Sequence, residues 1–220
     1  MNKFKRFVIG DIHGQIKALK QVLKLSKFDY KNDKLIILGD VVDGGFNSYE
    51  VVKELLKIKH RVFILGNHDQ WFIWNLEREW KERTWTSQGG NATLESYRNR
   101  RDKDHKDFFM NHKLFHIEDG MAFVHGGFFP GIVDLNDEKT DTLLWDRQLI
   151  SWCYEGNTVP NFKKVFVGHT TTQHYDETRP LRFNNLIMMD CGAGWNGRLS
   201  IMDIDTEEYW LSDIQVPPDF

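Results

Sequence analysis

The stretch "KLIILGDVVDGGFNSYEVVKELL", residues 34–56, holds three kinds of local order in succession. Lys34–Leu38 is an apolar run of strand length. Gly39 to Gly45 then carries two carboxylates, Asp40 and Asp43, in a segment short of bulky side chains. Beyond it Val51, Leu55 and Ile58 recur at helical spacing, with Asn47 placed as N-cap and Glu50 as its capping-box partner. Strand, acidic glycine-rich turn and helix make one β–α unit.

The pattern repeats on both sides. Lys5–Ile9 leads to Gly10-Asp11-Ile12-His13-Gly14 and then to Ile16, Leu19 and Leu23 at helical spacing. Arg61–Leu65 leads to Gly66-Asn67-His68-Asp69. A β-α-β-α-β opening predicts a sheet with helices packed against it. Met121–Val124, Lys164–Val167 and Leu186–Met189 are further strand-length runs. Near the C-terminus Leu199–Ile204 alternates, Asp205-Thr206 can turn and Glu208–Leu211 can return, so a hairpin makes the sheets mixed. From about 70 to 116 the chain reads as mainly helical and rich in tryptophan. Trp71, Trp74, Trp80 and Trp85 are read as core, because aromatic rings mainly supply buried area. "RNRRDKDHK", residues 98–106, mixes both signs and reads as a solvated helix face.

A chain of 220 residues that is 40% hydrophobic is most simply one domain, 1–220, carrying that helical insert. The net charge of −3 offers no basic field, so no nucleic-acid partner is expected. Phe7–Ile9 is too short for a signal peptide or a membrane span, and two cysteines, Cys153 and Cys191, are too few for a disulfide framework. The expected setting is the cytoplasm, away from membranes.

Five of the strand candidates end in Asp, Asn or His, and each end also carries glycine: Asp11 and His13, Asp40 and Asp43, Asn67 and His68, His125, His169. In layered α/β folds the C-terminal ends of strands gather at one edge, where ligands bind. A lone Asp there is usually a turn or a cap, and a lone His usually a satisfied one. Five such ends together are not explained that way. Oxygen and imidazole donors without thiolates suit Mn, Fe or Zn, and about six ligands exceed one tetrahedral site. Two metals sharing a bridging carboxylate fit better.

Gly10-Asp11-Ile12-His13-Gly14, Gly39-Asp40-Val41-Val42-Asp43 and Gly66-Asn67-His68-Asp69 resemble the GDxHG, GDxxDxG and GNH[DE] blocks of calcineurin-like metallophosphoesterases. The resemblance is closest to small bacterial and phage serine/threonine phosphatases of the PPP type, and continues in order through His125 and His169. "WTSQGGNATLESY", residues 85–97, and "DCGAGWNGRLSIMD", residues 190–203, also resemble segments of small bacterial members. The resemblance implies an α/β/β/α sandwich of two mixed sheets with a dinuclear metal site at the strand ends. It implies that Asp11 and His13 hold one metal, that Asp40 bridges both, and that Asn67, His125 and His169 complete the second. Manganese is the expected ion, with iron or zinc as alternatives. It further implies His68 as general acid, oriented by Asp43.

The chain departs from the family at two places. The PPP pattern has arginine at the positions of Gly44 and Leu65, where it grips phosphate, and arginine's planar fork has no substitute there. Arg147, in "LLWDRQ", resembles a third phosphate-contacting arginine, Asn67 faces the same phosphate, and Lys163 and Lys164 are weaker candidates. Cys191, where threonine or serine is expected, is read as structural. The expected activity is metal-dependent hydrolysis of phosphomonoesters, on phosphorylated protein or small phosphoesters, as a serine/threonine-type phosphatase of relaxed specificity. The alternatives are a phosphodiesterase or a dinucleoside polyphosphate or nucleotide hydrolase and, in a different class, a non-catalytic metal-stabilised binding module.

Overall fold

The computed structural model describes residues 4–98, 100 and 102–216. The opening units fold as β1 (Arg6–Ile9), α1 (Ile16–Leu25), β2 (Lys34–Ile37), α2 (Ser48–Leu55) and β3 (His60–Phe63). The helical stretch follows as α3 (Asn67–Arg78), α4 (Arg83–Trp85), α5 (Asn91–Tyr97) and α6 (Lys103–Met110). Then come β4 (Phe115–Glu118), β5 (Met121–Val124), α7 (Thr140–Trp145), α8 (Gln148–Tyr154) and β6 (Lys164–Val167). The chain finishes with β7 (Leu181–Phe183), β8 (Leu186–Met188) and the hairpin β9 (Ser200–Asp203) and β10 (Tyr209–Leu211).

The strands form two mixed five-stranded sheets, ordered β10-β9-β1-β2-β3 and β4-β5-β6-β8-β7. Three strands of each run parallel: β1, β2 and β3 on one side of the first, β5, β6 and β8 at the centre of the second. Side-chain alternation sorts each strand between two environments. Phe7, Ile9, Leu35 and Ile37 face α1 and α2, while Val8, Ile36 and Leu38 face the other sheet. In the second sheet Ala122, Val124, Val165 and Val167 face α7 and α8, and Phe123 and Phe166 point inward to stack 4.9 Å apart. Apolar burial on both faces of both sheets produces four layers, α/β/β/α.

Two local expectations need correction, and two strands were not expected at all. Asn47 occupies the N-cap position of α2 but makes no side-chain capping bond, and Glu50 instead accepts from Arg100 at 3.1 Å. β4 and β7 are short edge strands whose side chains are partly exposed, so they lack the apolar run by which strands are recognised. Within residues 98–106 helix begins only at Lys103, and Arg98 and Arg100 lie in the connection before it. Positions 99 and 101 lie outside the described residues.

At the edge where the parallel strands begin, charges join the sheets. Arg6 of β1 reaches Glu118 at 3.1 Å and Asp119 at 2.6 Å, and Lys34 of β2 also pairs with Glu118. Burial opposes ionisation of Glu118, but hydrogen bonds from Lys34, His116 and Arg6 outweigh it and take its pKa from 4.5 to about 2. A depressed carboxylate stabilises the fold above its unfolded pKa, and that contribution is lost as pH falls through the folded value. Glu118→Gln is therefore expected to cost about 1–2 kcal/mol at pH 7 once solvent screening is counted. Urea melts should show the gap between variant and wild type closing between pH 4.5 and about 2.

Candidate active site

At the opposite edge the parallel strands end, and the loops there carry the acids and histidines. Asp11 and His13 follow β1, Asp40 and Asp43 follow β2, Asn67 and His68 open α3 just after β3, His125 follows β5, and His169 follows β6. Four of these residues hold the left-handed backbone, with φ of 46° at His13, 47° at Asp40, 68° at Asp43 and 62° at His169. Such conformations cost energy in non-glycine residues and gather at functional sites. Glycine permits the close approach: a Cβ on Gly66 would lie 2.1 Å from Asp40 Oδ1, and one on Gly168 2.3 Å from Asp11 Oδ1.

The ligand-type atoms fall into two clusters, Asp11–His13–Asp40 and Asp40–His125–His169, each within 4.8 Å, with Asp40 common to both. His13 donates from Nδ1 to the Val42 carbonyl at 3.0 Å, and His125 from Nδ1 to the Leu38 carbonyl at 2.7 Å. In both rings this directs Nε2 to the cluster, where it lies 3.8 Å and 3.3 Å from Asp40 Oδ2. Fixing one ring nitrogen on a carbonyl orients the other toward a metal. Asn67 Oδ1 is 3.0 Å from His125 Nε2 and joins the second cluster. His169 Nε2 is buried without a hydrogen-bond partner, which is costly unless another group satisfies it. Burial, followed by the Asp190 charge, pushes the Asp11 carboxyl well above its ordinary value. Buried acids short of positive charge, an orphaned imidazole nitrogen and an all-oxygen-and-nitrogen donor set fit two divalent cations.

Beside the clusters, His68 Nδ1 donates to Asp43 Oδ2 at 2.7 Å. Trp85 Nε1 donates to the same oxygen at 2.8 Å, and Thr93 Oγ1 to Asp43 Oδ1 at 2.7 Å. Burial opposes the His68 imidazolium, but Asp40 and the Asp43 hydrogen bond outweigh it, and the pKa rises above the usual histidine value.

Several contributing residues escape a sequence reading. Trp85 looks like core and is fully buried, yet its indole N–H is spent on Asp43. Asp69 accepts from the Gly66 and Val41 amides at 3.1 and 3.0 Å and ties the β3–α3 turn to the Asp40 loop. Its signal is its place at the third position of a helix, where an acid caps. Asp190 follows β8, the sixth parallel strand, so the pattern of strand, acid and glycine held once more than expected. It is buried, and desolvation lifts its pKa to about 6.

Gly44 and Leu65 have different structural reasons for lacking arginine. Leu65 is buried in the core beneath the outer helices. Gly44 has φ of 73° and lies under the 86–90 segment, where a Cβ on Gly89 would come 2.3 Å from the Gly44 amide nitrogen. A Cβ on Gly44 itself would face His13, 3.2 Å from its Cβ, so an arginine there would hold the left-handed backbone and crowd a residue of the first cluster. Arg147 stands exposed at the start of α8 and forms no ion pair among the described residues. Burial first, then the charges of His125 and Arg147, hold His169 down at about 3. Lys163 and Lys164 sit at the opposite edge, where β6 begins, and Lys164 pairs with Glu207 at 2.7 Å. They are too far along the strand to reach the clusters.

The calcineurin-like phosphoesterase family matches residues 4–186. The chain belongs to that family. Hydrolysis of phosphoester bonds is the activity for which that family is named. The chain is 37% identical over 67 residues to a symmetrical bis(5'-nucleosyl)-tetraphosphatase of Coxiella burnetii, covering 30% of this chain and 23% of that protein. A protein of the same name from Nitrosospira multiformis is 27% identical over 174 residues, covering 78% of this chain and 58% of that one. The matches thus span less than two thirds of these relatives' length. A solved structure provisionally described as a diadenosine tetraphosphatase superposes with a TM-score of 0.72 at 18% identity, covering 98% of this phosphoesterase and 94% of that chain, which shows the shared fold. These names correspond to the dinucleoside polyphosphate alternative rather than to a protein phosphatase. No helix among the described residues is long and apolar enough to cross a membrane.

Proposed function

We propose that this phosphoesterase hydrolyses the phosphoanhydride chain of dinucleoside polyphosphates. The observation carrying the reaction class is the pair of donor clusters meeting at Asp40 beside the His68–Asp43 hydrogen bond. Asp11, His13 and Asp40 would hold one manganese ion, and Asp40, Asn67, His125 and His169 the other. When bound, two such ions acidify water toward neutral pH and neutralise phosphoryl oxygens.

The chain's own residues supply positioning and the proton. Asp40 Oδ1 accepts the His68 amide at 3.0 Å and so fixes the first turn of α3 over the clusters. His68 gives its Nε2 proton to the leaving oxygen, while Asp43 holds the opposite nitrogen and favours the charged ring. Trp85 and Thr93 keep the Asp43 carboxylate from turning away. Asn67 and Arg147 face the substrate phosphate, Arg147 with its charge unspent on any described carboxylate.

Two features favour a polyphosphate over a phosphomonoester. The curated relatives carry the tetraphosphatase name. Gly44 and Leu65 remove the two arginine forks suited to a dianionic phosphate, and an internal phosphoryl group of a polyphosphate chain carries one negative charge rather than two. On metal-reconstituted protein, kcat/KM for a dinucleoside tetraphosphate is expected to exceed that for an aryl phosphate and for a phosphoserine peptide by about 10-fold or more, a difference of about 1.4 kcal/mol in transition-state stabilisation. Equal or reversed preference would return the assignment to phosphomonoesters.

A further inference from the structure

Two large apolar side chains stand in solvent beside the donor clusters. Trp195, in the loop between β8 and β9, is 44% exposed, and Trp145, at the end of α7, is 36% exposed. Scattered exposed aromatics are ordinary on protein surfaces, but these two are not scattered. The Trp195 ring lies 6.1 Å from that of His13, and the Trp145 ring 5.6 Å from that of His169. His13 and His169 belong to different clusters, so one indole attends each side of the shared Asp40.

Both rings are held in place rather than loosely displayed. A Cβ on Gly194 would lie 2.7 Å from His13 Cδ2, so the Trp195 loop is seated directly on that histidine. Trp145 also packs on Trp71 at 5.3 Å, and Trp71 on His68 at 5.0 Å. A fixed, half-exposed π-face beside a phosphate site is suited to a base: it stacks on any nucleobase and loses little conformational freedom. A dinucleoside polyphosphate whose phosphates lie across the clusters carries one base beyond each end.

We infer that Trp195 and Trp145 are the nucleobase platforms of this site, one for each base of a dinucleoside polyphosphate. The inference rests on the reading of the substrate given above. The test measures affinity by calorimetry on metal-loaded protein, using a methylene-bridged dinucleoside tetraphosphate and base-free tripolyphosphate. Trp195→Ala is expected to weaken the dinucleotide about 5–150-fold relative to tripolyphosphate, and Trp195→Phe to restore most of that loss. The same pair of substitutions at Trp145 is expected to act in the same way. An equal loss for both ligands, or a phenylalanine no better than alanine, overturns the platforms while leaving the substrate reading intact. If wild-type protein binds the methylene-bridged dinucleotide no better than tripolyphosphate and does not cleave the unmodified dinucleoside tetraphosphate, the substrate reading fails and the platforms fail with it.

Discussion

Asp40→Asn is expected to lower bound metal at both sites together and to reduce kcat/KM by on the order of 10³-fold or more, the equivalent of about 4 kcal/mol. The magnitude follows from sharing: Asp40 is the one side chain common to the two clusters, and the one other carboxylate in them, Asp11, belongs to the first alone. Asparagine keeps an oxygen for the His68 amide that Asp40 now receives at 3.0 Å, so the first turn of α3 should survive. Metal analysis separates this from a one-sided defect. Asp11→Asn should spare the cluster of His125 and His169, whereas Asp40→Asn should spare neither. Melting temperature gives a second readout, since a ligand that binds the folded state raises it by mass action. Wild-type protein should gain stability on adding manganese, and Asp40→Asn should gain much less. Full metal occupancy in that variant would refute Asp40 as the bridge.

His68→Ala is expected to lose about 10²- to 10⁴-fold in kcat on a simple alkyl phosphate, the usual contribution of general-acid catalysis. On a phosphoanhydride the loss should be much smaller, because a nucleotide leaves as a stable anion that needs little protonation. The diagnostic quantity is thus a slope. Activity plotted against leaving-group pKa should fall more steeply for the variant than for wild type. Parallel lines would show that His68 acts on binding or on the fold. Asp43→Asn should steepen the line in the same direction but less, since it removes the charge that favours the imidazolium and leaves the ring in place.

Much of this architecture was legible in the sequence because burial on both faces writes itself as apolar runs. Met121–Val124 and Lys164–Val167 are read with the boundaries they have, and each is buried or nearly so along its length. β4 and β7 were not legible, because edge strands lack that double burial. The residues brought together at the strand ends were legible for a related reason: parallel strands all finish at one edge, so chemistry written after each run converges. Trp85 and Thr93 were not, since nothing local shows that an indole N–H and a hydroxyl more than 40 positions after Asp43 will meet its two oxygens. Asn47 shows the converse failure. Its local cap signal is good, yet Glu50 is drawn to Arg100 and the capping box does not form.

The contact between Gly44 and Gly89 bears on how substrate preference could change in this lineage. A side chain at position 44 would hold φ of 73° and set its Cβ 3.2 Å from that of His13, while one at position 89 would strike the Gly44 backbone and push back the segment that carries Trp85 to Asp43. A single exchange to arginine here would therefore strain the turn and press on a residue of the first donor cluster. The route to a different specificity passes through a compensating change in the His13 turn, each step harmful without the other: a local case of epistasis set by how closely the two turns pack.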